Sequence, residues 1–281
     1  MNNDTDSKIA MVAGGTAGVG LSIVRELVEK GFTVHFIGTN RERGAAIESE
    51  LNGSGESKCR FFALDLSSLK AVRAFAQGFL SEVPHLDVLL HVAGVMLPDR
   101  QETDEGLEKT IAIDYLSAFV LSQELVPLLA KASHPRIANV SGGLSMVLKR
   151  KLDFTNMDGK RNYSGMRAAI DAVHAKTVMT QILAEKLKSQ NIDVNAFHPG
   201  AVKSDLGRSM PLPMRVLFRI ASLFMATKST SGNYVSTSKE VTGVTGQIFV
   251  KTKAIPLQFE EAYKDQLWKW TVATVDRVLA S

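Results

Sequence analysis

Short apolar runs recur along the chain, each followed by a longer stretch in which apolar positions fall three and four apart. Runs at 9–13, 33–38, 60–64, 88–93, 136–140, 193–197 and 247–250 predict strands. The intervening patterns predict helices near 19–30, 41–51, 68–82, 104–131, 165–189 and 229–238. Strands that read as near-continuous apolar runs are buried on both faces, and their alternation with helices implies βαβ units. The pattern therefore predicts an α/β fold, a doubly wound parallel sheet of about seven strands, in one domain spanning 1–281. No internal repeat or low-complexity linker interrupts it.

Two stretches break the rhythm. Residues 142–164 are polar and basic in the middle and follow the fifth predicted strand. Loops at strand C-terminal ends usually carry the substrate site. Residues 211–225, within a second loop or lid segment at 205–228, are apolar with Arg215 and Arg219 one turn apart. They read as an amphipathic helix: a packed surface helix, a substrate lid or a membrane-surface contact.

Composition narrows the class. The chain has 281 residues, 45% hydrophobic, enough for one large core. Its 33 basic and 29 acidic residues give a net charge of +4, with no basic run that would track a nucleic-acid backbone. Cys59 is the single cysteine, which excludes a disulfide framework or thiolate cluster and suits a reducing, cytoplasmic setting. Met1 to Ser7 are polar and acidic, unlike a secretory signal, and no run of 18 uncharged apolar residues appears.

The first predicted strand runs straight into Gly14-Gly15-Thr16-Ala17-Gly18-Val19-Gly20 and then a helix. In such a turn Gly14 permits the tight bend, Gly18 lets amides approach a pyrophosphate, and Gly20 permits close packing of the helix. Gly14-x-x-x-Gly18-x-Gly20, with Asp65-Leu66 after the third strand, resembles the short-chain dehydrogenase/reductase family, and within it the retinol-dehydrogenase-like branch. His91-Val92-Ala93-Gly94 stands where that family has Asn-Asn-Ala-Gly, and His198-Pro199-Gly200-Ala201-Val202-Lys203-Ser204 resembles its Pro-Gly-x-Val-x-Thr segment. The resemblance runs from about Lys8 to the C-terminus and implies a Rossmann-type fold. It also implies that Gly14, Thr16, Ala17, Gly18, Val19, Gly20, Asp65 and Leu66 hold a dinucleotide, together with His91, Ala93, Gly94, Pro199, Gly200, Val202 and Ser204.

The second strand ends in Gly38-Thr39-Asn40-Arg41. No carboxylate there repels a 2′-phosphate, and Arg41 or Arg43 can pair with one, so Thr39, Asn40 and Arg41 are expected to select NADP(H) over NAD(H).

By the same resemblance, catalysis should rest on a Tyr that moves the substrate proton, a Lys four residues on, a Ser and an Asn. A gapless register that places Leu183-Ala184-Glu185, Asn195 and Pro199-Gly200 on their family counterparts puts Ala169 at the Tyr position and Val173 at the Lys position. Gly142 falls at the Ser position and Asp114 at the Asn position, while Ser141 should point the other way along the strand. Two rival registers keep part of the set, the first a lysine and the second a tyrosine and a cation. Ala172-x-x-x-Lys176 requires removing three residues from a helix interior, and Tyr163-x-x-x-Arg167 requires inserting six. Lys176, two turns beyond Ala169, and Tyr163, in the irregular segment, are the candidate substitute groups, each against the alternative of a structural role. His174 and His198 lack a third ligand at metal spacing, so no metal is expected.

Three functions fit. One is a repurposed enzyme performing isomerisation, cyclisation or proton transfer on a hydrophobic small molecule, since Ala169, Val173 and Gly142 enlarge and dry the pocket. The second is an NADPH-dependent carbonyl reductase or alcohol dehydrogenase with a relocated proton donor. The third is an inactive NADP(H)-sensing or partner protein. The resemblance implies a homodimer through 104–131 and 165–189, with peripheral membrane contact of a monomer as the alternative.

Overall fold

Along β1 (Ile9–Ala13) every residue is buried, and alternate side chains feed different cores: Ile9, Met11 and Ala13 pack on one face, Ala10 and Val12 on the other. That is the period-two signature of a central strand covered on both sides. A computed structural model describes residues 8–53, 58–202 and 226–281.

The chain continues through α1 (Gly18–Glu29), β2 (Thr33–Gly38), α2 (Arg41–Asn52), β3 (Cys59–Ala63), α3 (Leu69–Phe79) and β4 (Val88–His91). The next helix, α4 (Lys109–Leu129), contains a π turn at Ala112–Leu116. Then come β5 (Arg136–Val140), the short α5 (Leu144–Leu148), α6 (Gly165–Lys186) and β6 (Asp193–His198). After the segment 203–225 follow α7 (Thr230–Thr237), β7 (Gln247–Val250), β8 (Lys253–Pro256) and α8 (Glu261–Ala280). The sheet order is β3-β2-β1-β4-β5-β6-β7-β8, parallel except for β8, which pairs antiparallel with β7.

Helices α1, α2 and α7 contribute to the core on one face; α3, α4, α6 and α8 build the other. Helix α4 has the length and apolarity of a membrane-spanning segment, yet most of it is buried in this core. Its apolar character is thus explained by packing on both the sheet and neighbouring helices.

The α/β class and the seven predicted strands are present, with an eighth added at the edge and a C-terminal helix beyond it. The predicted helix at 104–131 begins only at Lys109, because Thr103–Leu107 is a turn: the amides of Thr103 and Gly106 donate to the Leu107 and Thr103 carbonyls. Most of the 142–164 segment is irregular, as expected, apart from α5. The predicted helix or lid at 211–225 lies outside the described residues.

Candidate active site

The strand order reverses between β1 and β4, and a crevice opens at their C-terminal ends, where open α/β sheets bind ligands. The Gly14 and Gly15 amides donate to the Ile37 carbonyl at 3.0 Å, and the Val92 and Ala93 amides donate to the Ala13 carbonyl at 2.9 and 2.8 Å. These bonds hold the glycine turn against the ends of both neighbouring strands. Gly14 has φ +92°, and a Cβ there would lie 2.5 Å from the Ala93 amide nitrogen. A Cβ on Gly20 would lie 1.9 Å from the Gly14 carbonyl oxygen. The tight contact at Gly20 is therefore with the turn itself.

Ala17, which precedes α1, offers no capping side chain, so the amides of the helix's first turn are directed at whatever fills the crevice. Unsatisfied amides at a helix N-terminus favour an anion. The crevice is a cavity of about 750 Å³ that continues from this turn to the start of α6. Predicted cofactor residues Gly14, Thr16, Ala17, Gly18, Val19, Gly20, Thr39, Asn40, Asp65, Leu66, Ala93, Gly94, Pro199, Gly200 and Val202 all line it. The cradle fits a dinucleotide: only glycine is sterically admitted at its tightest points, and its length joins an anion-binding turn to an apolar chamber.

Two expected contacts differ. His91 is buried behind the wall, where its Nε2 is 2.8 Å from Ser122 Oγ; burial and the nearby Lys176 push its pKa down to about 3. Arg43, one side of which faces the crevice, takes the place expected for Arg41. The two residues are about 200° apart around the helix, so they cannot both face one wall. Ser204 lies outside the described residues.

At the far end Gly142, Ala169 and Val173 form the floor with Val140, and Val95, Met96, Leu97 and Ile113 form apolar walls. Ser141, expected to point the other way along the strand, also lines the cavity, and its hydroxyl is engaged with Thr177 Oγ1 at 2.7 Å. Helix α6 runs unbroken from Gly165 to Lys186, presenting Ala169 and Val173 to the cavity; Ala172 and Lys176 are turned into the core.

Tyr163 is held away from the cavity lining. Its hydroxyl lies 3.3 Å from the Leu97 carbonyl, 3.2 Å from Glu108 Oε1 and 3.4 Å from Thr110 Oγ1. Burial raises its pKa. Lys176 is 1% exposed, and burial pulls its pKa down against the attraction of Asp114. Asp114, at the centre of the π turn, is 3% exposed yet lines the cavity; burial raises its pKa while Lys176 and the Val95 amide oppose the rise. Its Oδ1 accepts from the Val95 amide at 2.8 Å. In the sequence Asp114 is visible only as a replaced position; the electrostatic influence of Lys176 on it depends on a tertiary approach of α4 and α6 that no local pattern encodes. Lys109, also on the wall, was not foreseen.

The two histidines weighed as ligands are placed apart. His174 lies between the Val147 carbonyl and the Tyr263 hydroxyl, and His198 ends β6 with its Nδ1 buried and without a partner.

The fold and crevice define a dinucleotide-binding α/β protein. Residues 8–213 match the short chain dehydrogenase family profile. The chain is 34% identical to human retinol dehydrogenase 11 over 221 residues, covering 78% of this chain and 69% of that protein. It is 30% identical to zebrafish (Danio rerio) polyprenol dehydrogenase, covering 97% and 88%. The fold is shared with the Pseudomonas aeruginosa RhlG/NADP active-site complex at a TM-score of 0.64, with 22% identity over 86% of this chain and 93% of that one. This chain belongs to the short-chain dehydrogenase family, in its retinol-dehydrogenase-like branch, an oxidoreductase family that takes nicotinamide cofactors.

Proposed function

We propose that this protein binds NADP(H) along the glycine turn and acts on a hydrophobic small molecule by proton transfer, as in an isomerisation or cyclisation, without net hydride transfer. The observation that carries this reading is the cavity floor. The positions assigned by the family register to the catalytic Tyr, Lys, Ser and Asn are Ala169, Val173, Gly142 and Asp114, and they meet in one cavity with three of the four side chains unable to move a proton. A bound nicotinamide cofactor would supply hydride chemistry in its relatives; here it would form one wall of an apolar chamber. Preference for the 2′-phosphorylated form is supported by Arg43 beside Thr39 and Asn40, with no carboxylate at that strand end.

Reduction with a relocated donor is the competing reading, favoured by relatives that are named dehydrogenases. The first of two measurements tests the cofactor preference, and the second separates the readings. Calorimetric titration should give tighter binding of NADPH than of NADH. Conversion of an apolar ketone or alcohol should then leave the NADPH absorbance unchanged, whereas stoichiometric loss of NADPH with product would overturn the non-redox reading.

A further inference from the structure

We infer that the Asp114 carboxyl, presented to the cavity by the π turn of α4 and pinned by the Val95 amide, is the acid–base group of this site; the inference rests on the proton-transfer reading above. Among the described residues that line the cavity, only Asp65 and Asp114 carry carboxyls. Asp65 is at the dinucleotide end and has its Oδ1 engaged by the Ser67 amide at 2.9 Å. Asp114 is at the apolar end, where Ala169, Val173 and Gly142 leave room for a substrate.

The geometry around Asp114 is that of a fixed, usable group. The Val95 amide pins Oδ1, which orients the carboxyl plane. A Cβ placed on Gly94 would lie 3.3 Å from Oδ2, so the glycine leaves the space beside that oxygen clear. A π turn adds a residue to the helical circuit and re-aims the side chain it carries, and such turns recur at functional sites. Helix interiors gain nothing from that distortion, so its placement at Asp114 calls for a local reason.

The charges facing Asp114 come from several elements. Lys176 acts from α6 and Glu108 from the turn before α4; His91, at the end of β4, is held neutral by burial and by Lys176, and Lys109, the first residue of α4, lines the same cavity. Burial favours the neutral acid and Lys176 favours the carboxylate, opposing influences that keep both protonation states within reach. That balance is what general acid–base catalysis requires. Lys176 is thus a positioning and tuning residue, with no requirement to touch substrate.

The step balances within one substrate. The Asp114 carboxylate takes a proton from carbon next to a substrate carbonyl; the C–H bond breaks and its electron pair passes into the carbonyl to form an enolate. The protonated carboxyl then returns that proton to a conjugated carbon, shifting the double bond. No oxidant or reductant is consumed.

The test uses the full-length protein saturated with NADP+, which cannot donate a hydride, and β-ionone as an enolisable apolar probe in D2O. Deuterium uptake is followed by mass spectrometry, and NADP+ and β-ionone binding by calorimetry. The wild type should catalyse uptake, and Asp114→Asn, which keeps the acceptor for the Val95 amide, should lose about 100-fold or more while binding NADP+ normally. Lys176→Met removes the charge that lowers the Asp114 pKa, so the rising limb of the uptake–pH profile should move to higher pH. A limb that stays in place would remove the tuning role from Lys176. Uptake that survives Asp114→Asn overturns the inference, as does a wild type that binds both ligands without exchange; in the second case the apolar-ligand reading stands. Failure to bind either ligand overturns the proposed function and this inference together.

Discussion

Gly20→Ala is the sharpest perturbation of the cofactor half. A Cβ at this position would sit 1.9 Å from the Gly14 carbonyl oxygen and 2.8 Å from its carbon, and side-chain carbons essentially never approach within 3.0 Å. Both opposing atoms are backbone, so no rotamer change relieves the contact, and the start of α1 must move away from the turn by at least about 1 Å. A hydrogen bond of about 2.8 Å stretched by that amount is no longer one. If two amides of the first helical turn lose an anionic partner, each worth about 1.5–3 kcal/mol, NADPH affinity should fall by roughly 100-fold or more. Overpacking should also cost about 1–3 kcal/mol of stability. Calorimetry measures the first effect and the thermal midpoint the second. A folded Gly20→Ala variant that binds NADPH within about threefold of the wild type would refute this account of the turn.

Other outcomes follow from the same structure. Arg43→Ala should weaken NADPH by about 5- to 20-fold with little change for NADH, the modest size reflecting an exposed cation, while Arg41→Ala should leave the ratio near the wild-type value in parallel titrations. His35 is buried against Phe62 and Phe79 with both ring nitrogens unpartnered, and its pKa falls from 6.5 to about 4, chiefly through burial. The unfolded chain therefore binds the extra proton, so stability present above pH 6.5 is lost as pH falls towards 4, by about 3 kcal/mol at most. Thermal midpoints of His35→Phe should show a shallower decline over that window. Cys59 is buried with its thiol pushed up to about 12, chiefly by burial, so a thiol reagent at neutral pH should label the native protein far more slowly than the unfolded one.

Much of this architecture was legible in the sequence because its central strands are buried on both faces and read as unbroken apolar runs. The edge strand β8 was not: Lys253–Pro256 is largely exposed, and its lysine, single isoleucine and proline carry no such run. Helix α8 escaped for a related reason, since its buried Lys264, Leu267, Thr271, Val275 and Val278 mix polar and apolar types on the inward face. Lys264 is buried because it pairs with Glu185 and Glu261, a compensation that only the assembled fold provides. The glycine turn was legible because steric demands there dictate residue type directly. His91 shows the limit of motif position: it occupies the expected segment, yet strand alternation sends its side chain into the core to Ser122. The π turn at Ala112–Leu116 left no mark in the largely apolar pattern of α4, and with it the electrostatic influence of Lys176 on Asp114 stayed hidden.

We propose that this chain retains the cofactor crevice while the floor of Ala169, Val173 and Gly142 does not support the family's hydride chemistry. The most direct measurement tracks the hydride itself. The protein is saturated with NADPH deuterated at C4, on each face in turn, and incubated with apolar aldehydes from hexanal to retinal, and the products are examined by mass spectrometry. The account predicts that NADPH binds and the label stays on the cofactor; deuterium appearing in the alcohol, in step with NADPH oxidation, would contradict it.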